Sequence, residues 1–210
     1  MDKTIELVNL WGAFIKQHPE GSIEDFCRHL LVHKREKENK GPLVGGVVPH
    51  HSNGLLMKII GRIFKLHRVY SFIALEGAPV SQVEEFGILA TIKQRKNPKK
   101  SEVIYDNLLE FSSGTDMIAR LKKKGFVKEV NDKEDSRSKR LLLTAAGEKA
   151  FEACTAQIIK LSALFFDEMP EDDKHLCIQL LKNVEIKFSA LVHKHKGKKF
   201  EDIYAEVMNG

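Results

Sequence analysis

The chain has 210 residues, enough for one large domain or for a domain with a dimerisation region added. Its formal charge is +5, which admits an anionic partner without demanding one. Three cysteines, Cys27, Cys154 and Cys177, are odd in number and far apart, which fits a reducing cytoplasm better than a disulfide framework.

Met1-Asp2-Lys3 leads directly into an amphipathic stretch and carries no basic-then-apolar signal pattern. Residues 3–17 place Ile5, Val8, Trp11 (or Leu7), Phe14 and Ile15 at helical spacing, and His18-Pro19-Glu20-Gly21 stops that helix. Ser22 reads as an N-cap before acidic first-turn residues Glu24 and Asp25, opening a helix to about Glu38. Cys27, at helical spacing with Phe26 and Leu30, is expected to pack as a small apolar residue rather than serve as a redox switch. Gly41 to Gly54 has little periodicity and reads as a linker.

Leu55 to Leu75 is apolar over more than one face, so its helix is expected to be buried on two sides, by its own domain and by a second subunit. Lys58, Arg62, Lys65, His67 and Arg68 within it argue against a membrane span. Three short helical segments follow, over 81–93, 99–109 and from Phe111 to Lys124, where Gly125 supplies a C′ residue. The third buries Gly114, Ile118 and Leu121 and leaves Thr115, Asp116, Ala119 and Arg120 towards solvent. Residues 126–130 and 139–143 read as a hairpin around a charged turn. Thr144 caps a helix running through Phe166, Met169-Pro170 breaks it, and Glu171 to about Lys194 forms a last long helix before a basic run and a short amphipathic tail. Cys154 and Cys177 lie on these long helices and are expected to pack.

Three short helices and a two-stranded hairpin make the order of a winged helix-turn-helix, in which the third helix enters the major groove of DNA. Ser112, Ser113 and Thr115 stand at the N-terminus of that helix, where hydroxyls and free amides can meet phosphate or base edges. Asp116 and Arg120 continue the same side, and Lys99, Lys100, Lys139 and Arg140 complete a basic surround. From Lys93 to Arg140 there are fourteen Lys or Arg against eight Asp or Glu, so this segment carries the chain's positive excess. Lys122-Lys123-Lys124 reads equally well as a solvated helix end.

Two stretches resemble the MarR family of bacterial regulators. One is Asp135-Ser136-Arg137-Ser138-Lys139-Arg140 followed by Leu143-Thr144-Ala145-Ala146-Gly147, similar to that family's wing. The other is Met117 to Val127, similar to the end of its recognition helix. The resemblance implies that Arg137 reaches the minor groove, where an arginine senses the narrow groove's negative potential, and that Asp135 orients the wing. An ion pair between the two that merely stabilises the turn is the alternative. It also implies a homodimer formed through N- and C-terminal helices, a roughly palindromic operator, and a small-molecule inducer acting at the dimer interface. The segment Glu84-Glu85-Phe86-Gly87 and the N-terminal extension depart from the family pattern.

The expected fold is therefore mainly α with a small β wing. Residues 1–53 form a helical extension and linker, 54–80 a dimerisation and core helix, 81–147 the winged helix-turn-helix domain, and 148–210 C-terminal dimerisation helices and tail. The expected function is a cytoplasmic, ligand-responsive repressor that binds double-stranded DNA. The alternative is a winged-helix interaction module without DNA binding, which Asp116 on the reading face favours and a wing with Arg137, Lys139 and Arg140 side by side opposes. No phosphate loop, nucleophile elbow or zincin pattern is present, so no enzyme and no cofactor are expected. His50-His51 and His193-x-His195 lack a carboxylate or thiol at ligand spacing and are expected to be solvent-exposed rather than metal-binding.

Overall fold

The computed structural model describes residues 2–38, 43, 45–132 and 138–209, with only the backbone for 35–38. The chain divides into two compact units, Met1–Ile59 and Ile60–Gly210. In the first, α1 (Lys3–Gln17) is capped by Asp2, whose carboxylate accepts from the Thr4 N–H at 2.9 Å. Helix α2 (Ile23–Glu38) opens on a reciprocal cap. Ser22 Oγ accepts from the Asp25 N–H and Asp25 Oδ2 accepts from the Ser22 N–H, both at 3.1 Å. These hydrogen bonds from Ser22 hold the Asp25 carboxyl below its ordinary value. The two helices close on Phe14 and Phe26, with Trp11 edge-on to Phe26 at 5.1 Å. Cys27 is exposed, contrary to expectation: Phe26 points into the small core, and its neighbour on the helix faces away.

Residues 41, 42 and 44 of the predicted linker lie outside the described residues. The remainder ends at Ser52, where α3 (Ser52–Ala74) begins. Lys58 Nζ donates to the carbonyls of Gly46 (3.4 Å) and Val47 (3.2 Å), tying this stretch to the helix. His50 and His51 are exposed as expected.

In the second unit, α4 (Val83–Arg95), α5 (Lys100–Asp106) and α6 (Phe111–Lys123) are followed by β1 (Val127–Asn131) and β2 (Lys139–Leu143). The strands pair antiparallel in the register Val127↔Leu143 through Asn131↔Lys139. Helices α7 (Ala145–Phe166), α8 (Glu171–His195) and α9 (Phe200–Asn209) complete the chain. The core joins Leu75, Val80, Ile88, Leu89, Val103, Ile104, Ile118, Leu121, Val127, Leu141 and Cys154. With Ile92 of α4 also in it, the core takes one to three residues from each element of the motif. Burial pushes the Cys154 thiol up, so this cysteine packs as an apolar residue. Phe86 of α4 stacks on Phe151 of α7 at 5.5 Å.

Of the wide apolar arc on α3, only the strip ending at Ser71 is covered by the chain itself. Phe64, Val69, Phe72 and Ile73 remain exposed, so the expected burial on both sides is not met within one chain. No residue of α8 is buried, and Ile178, Leu180, Val184 and Ile186 are open, as is Cys177, which was expected to pack. Among the described residues no helix is long and apolar enough to cross a membrane.

Helix α9 folds back on the end of α8 through one carboxylate. Glu206 accepts from Lys198 Nζ at 2.6 Å and also from Lys194, and these bonds hold its carboxyl down at about 2. The pKa is depressed on folding, so this contribution is present above the ordinary value near 4.5 and is lost as pH falls towards 2. Amide protection of residues 200–209, corrected for intrinsic exchange, is expected to drop across that window while the core of α6 and α7 keeps its protection. Protection unchanged between pH 5 and pH 2.5 would rule this clasp out. His195 lies beneath the clasp with only 10 % of its side chain exposed, which corrects the solvent-exposed expectation for that residue. His193 is exposed and its ring meets Tyr105 edge-on at 4.8 Å.

Candidate nucleic-acid interface

Two glycines, Gly87 in α4 and Gly114 in α6, mark close approaches to α5 and the residue that follows it. A Cβ at Gly114 would lie 2.8 Å from the Ile104 side chain, so glycine here lets α6 cross α5 at short range. A Cβ at Gly87 would lie 2.5 Å from Asn107 Oδ1. The Asn107 amide instead sits over that glycine and donates to Thr91 Oγ1 (2.9 Å) and the Val103 carbonyl (2.8 Å). The segment 84–87, divergent by sequence, thus has a structural account.

Helix α6 turns one side outward. Ser112, Ser113, Asp116 and Ala119 are exposed, while Gly114, Ile118 and Leu121 are buried as the spacing predicts. Thr115 is a correction: its hydroxyl is buried and has no hydrogen-bond partner among the described residues, so it does not face solvent. Arg120 is half exposed (46 %) yet engaged. Its Nε donates to Glu85 Oε1 at 2.8 Å and its terminal nitrogen to Gln82 Oε1 at 3.1 Å. Lys124, one turn on, reaches the other Glu85 oxygen at 3.4 Å. The Glu85 side chain is only 3 % exposed, so α4 presents a buried carboxylate that binds two cations of α6. Lys122 pairs with Glu129 at 2.7 Å. Lys123 and Asp116 have no partner among the described residues.

The wing is held at its base by a second buried acid. Asp132, whose side chain is 1 % exposed, accepts from Arg140 Nε at 2.9 Å, and Lys99 Nζ lies 3.7 Å away. Arg140 also donates to the Asn97 carbonyl at 3.0 Å, and the Leu141 N–H donates to the Pro98 carbonyl at 2.9 Å. Lys99 and Arg140 are therefore turned onto the protein as well as towards the basic surface. Lys139 is exposed and bonds the Asn131 side chain; Lys100 is half-buried and has no partner among the described residues. Asp135 and Arg137 lie outside the described residues. The sequence reading missed Gln82, Glu85 and Asp132. The available signal was single acids close to runs of Lys and Arg, which does not say which cation each one meets.

Behind the wing, Thr144 Oγ1 donates to the Gly125 carbonyl (2.6 Å) and accepts from the Gly147 N–H (3.0 Å). The Thr144 N–H donates to the Phe126 carbonyl at 3.0 Å. The Thr-x-x-Gly of the wing motif is thus the joint between α6, the hairpin and α7.

Residues 83–147 match the family described as winged helix DNA-binding domain. A search of curated protein sequences gives no match to the chain. Among solved structures, the apo MarR of E. coli superposes with a TM-score of 0.55 at 20 % identity, covering 67 % of this chain and 98 % of its own. The MarR protein of Peptoclostridium difficile gives 0.63 at 18 % identity, covering 75 % and 100 %. The chain has the MarR fold. A further match is the PcaV transcriptional regulator of Streptomyces coelicolor in complex with its natural ligand, with a TM-score of 0.52 at 16 % identity, covering 68 % and 97 %. Within the MarR fold of this chain, α4 to α6 are the helix-turn-helix and β1–β2 the wing.

Proposed function

We propose that the chain is a cytoplasmic transcriptional regulator that binds double-stranded DNA in a sequence-specific manner. The observation that carries this is the outward, polar face of α6 standing beside a cationic hairpin anchored through Asp132. The helix reads base edges in the major groove. Ser112, Ser113, Lys99, Lys100 and Lys139 meet the backbone, Arg137, which follows β1 in the sequence, enters the minor groove, and Asp135 orients the wing. Arg120 and Arg140 contribute charge from half-committed positions.

The functional unit is a homodimer. Support comes from the apolar side chains left open on α3 and α8, which a monomer gains nothing by exposing. A twofold pair of reading helices calls for a roughly palindromic operator. The regulator acts as a repressor by occluding polymerase, and a small-molecule effector changes the separation of the two reading helices.

A gel shift with the DNA upstream of the chain's own gene, at two salt concentrations, tests the reading. The shifted species should carry two chains per duplex by sedimentation. Arg137→Ala should weaken binding about tenfold and reduce the salt slope by about one. A chain that shifts no DNA at low salt would instead favour the winged-helix interaction module. The internal ion pairs of Arg120 and Arg140 and the exposed Asp116 are the observations on that side.

A further inference from the structure

Asp116 is the anomaly of the reading face. It is an exposed acid without a partner among the described residues, within the basic segment from Lys93 to Arg140. At 100° per residue, the buried stripe of Gly114, Ile118 and Leu121 has Ser112, Asp116, Ala119 and Lys123 directly opposite. The roll of α6 about its axis is set from two sides. Ile104 against Gly114 holds one, and the Glu85 carboxylate grips Arg120 and Lys124 on the other. Asp116 therefore stands at the crest of the helix.

A carboxylate brought against duplex DNA is repelled by phosphate, and only a hydrogen-bond donor on a base edge compensates it. Two such donors line the major groove, adenine N6 and cytosine N4. Adenine places its N7 lone pair beside its amino group, which suits an amide and repels a carboxylate. Cytosine has no acceptor of its own beside N4. The side chain of aspartate is short, so it reaches a base only where the helix backbone comes close. Its neighbours one turn either way along the crest, Ser112 and Ala119, are small enough to allow that approach.

We infer that Asp116 is a specificity-determining residue that accepts a hydrogen bond from the N4 amino group of one cytosine in each half-site. The inference rests on the DNA-binding reading above and deepens it.

Selection from a random duplex pool with the full chain, the Asp116→Ala variant and the Asp116→Asn variant tests it. The wild-type chain should enrich cytosine at one position per half-site. Asp116→Ala should lose about tenfold to a hundredfold discrimination at that position alone. It should also bind unrelated DNA a few-fold more tightly, having shed a charge of the wrong sign. Asp116→Asn should move the preference at that position to adenine, whose N6 and N7 an amide matches. An Asp116→Ala variant that enriches the same bases as the wild type at every position would overturn the assignment to Asp116 and leave DNA binding standing. A wild-type chain that enriches no sequence would overturn the DNA-binding reading and this inference with it.

Discussion

Replacing Gly147 by alanine is expected to destabilise the second unit by about 3 kcal/mol, the upper end of what overpacking costs. Gly147 lies in the first turn of α7, and a Cβ there would sit 2.0 Å from the Phe126 carbonyl oxygen and 2.9 Å from its carbon. Those atoms are backbone and have little freedom to retreat. The Phe126 N–H donates to the Leu121 carbonyl at 3.0 Å, and the Phe126 carbonyl accepts from the Thr144 N–H at 3.0 Å. A retreat would break one or both bonds and would shift the start of the wing relative to α6. A loss of that size corresponds to about 6–12 °C in melting temperature. The neighbouring exposed Ala146, changed to glycine, should cost no more than about 1 kcal/mol, because only helix propensity is lost. Thermal and denaturant melts of the two variants decide the matter. A Gly147→Ala variant melting within about 2 °C of the wild type would mean that the α7 joint yields more easily than its hydrogen bonds imply.

Arg140→Met should lower stability and DNA affinity together. The methionine keeps most of the side-chain volume and removes the guanidinium. Asp132 stays buried without its nearest cation, and the hydrogen bond to the Asn97 carbonyl is lost. Removing one partner of a buried pair costs about 3–5 kcal/mol when both are enclosed. Arg140 keeps about a third of its side chain in solvent, so about 2 kcal/mol is the better expectation. A double variant, Arg140→Met with Asp132→Leu, should recover part of the loss, since it removes the stranded carboxylate. Were Arg140 purely a DNA contact, the single variant would melt like the wild type and still bind DNA weakly. That result would move Arg140 from the wing's anchor to the duplex.

The element order was readable residue by residue because its signals are local. Thr144 followed by an apolar-periodic run predicts α7 from Ala145 to Phe166, as observed, and the cap is visible in the Gly147 N–H bond. Gly125 after Lys124 predicts the end of α6, and its φ of +75° is the left-handed value that glycine adopts at C′. The stripe of Gly114, Ile118 and Leu121 follows from helical spacing alone. Where the sequence reading failed, the deciding partner was remote or its side of the helix was ambiguous. Cys27 and Phe26 are adjacent, and periodicity did not say which faced the core. Thr115 sits on the flank of α6, where one turn of packing takes its hydroxyl out of water. His195 was read from a basic run, and α9 folding back over it could not be seen there.

The amino-acid sequence by itself determined the succession of helices and hairpin, the winged-helix order and the basic excess from Lys93 to Arg140. Caps, periodicity and charge are properties of a few neighbouring residues, and they survive without knowledge of the rest of the chain. Only the tertiary structure decided which of those charges remain available. Arg120 meets Glu85 across 35 residues, and Lys99 meets Asp132 across the base of the wing, by contacts that have no period in the sequence. The same folding left Asp116 without a partner among the described residues at the crest of α6, because every nearby cation of that helix had already been drawn to an acid on its flank or, like Lys123, stood too far along the stripe to reach it.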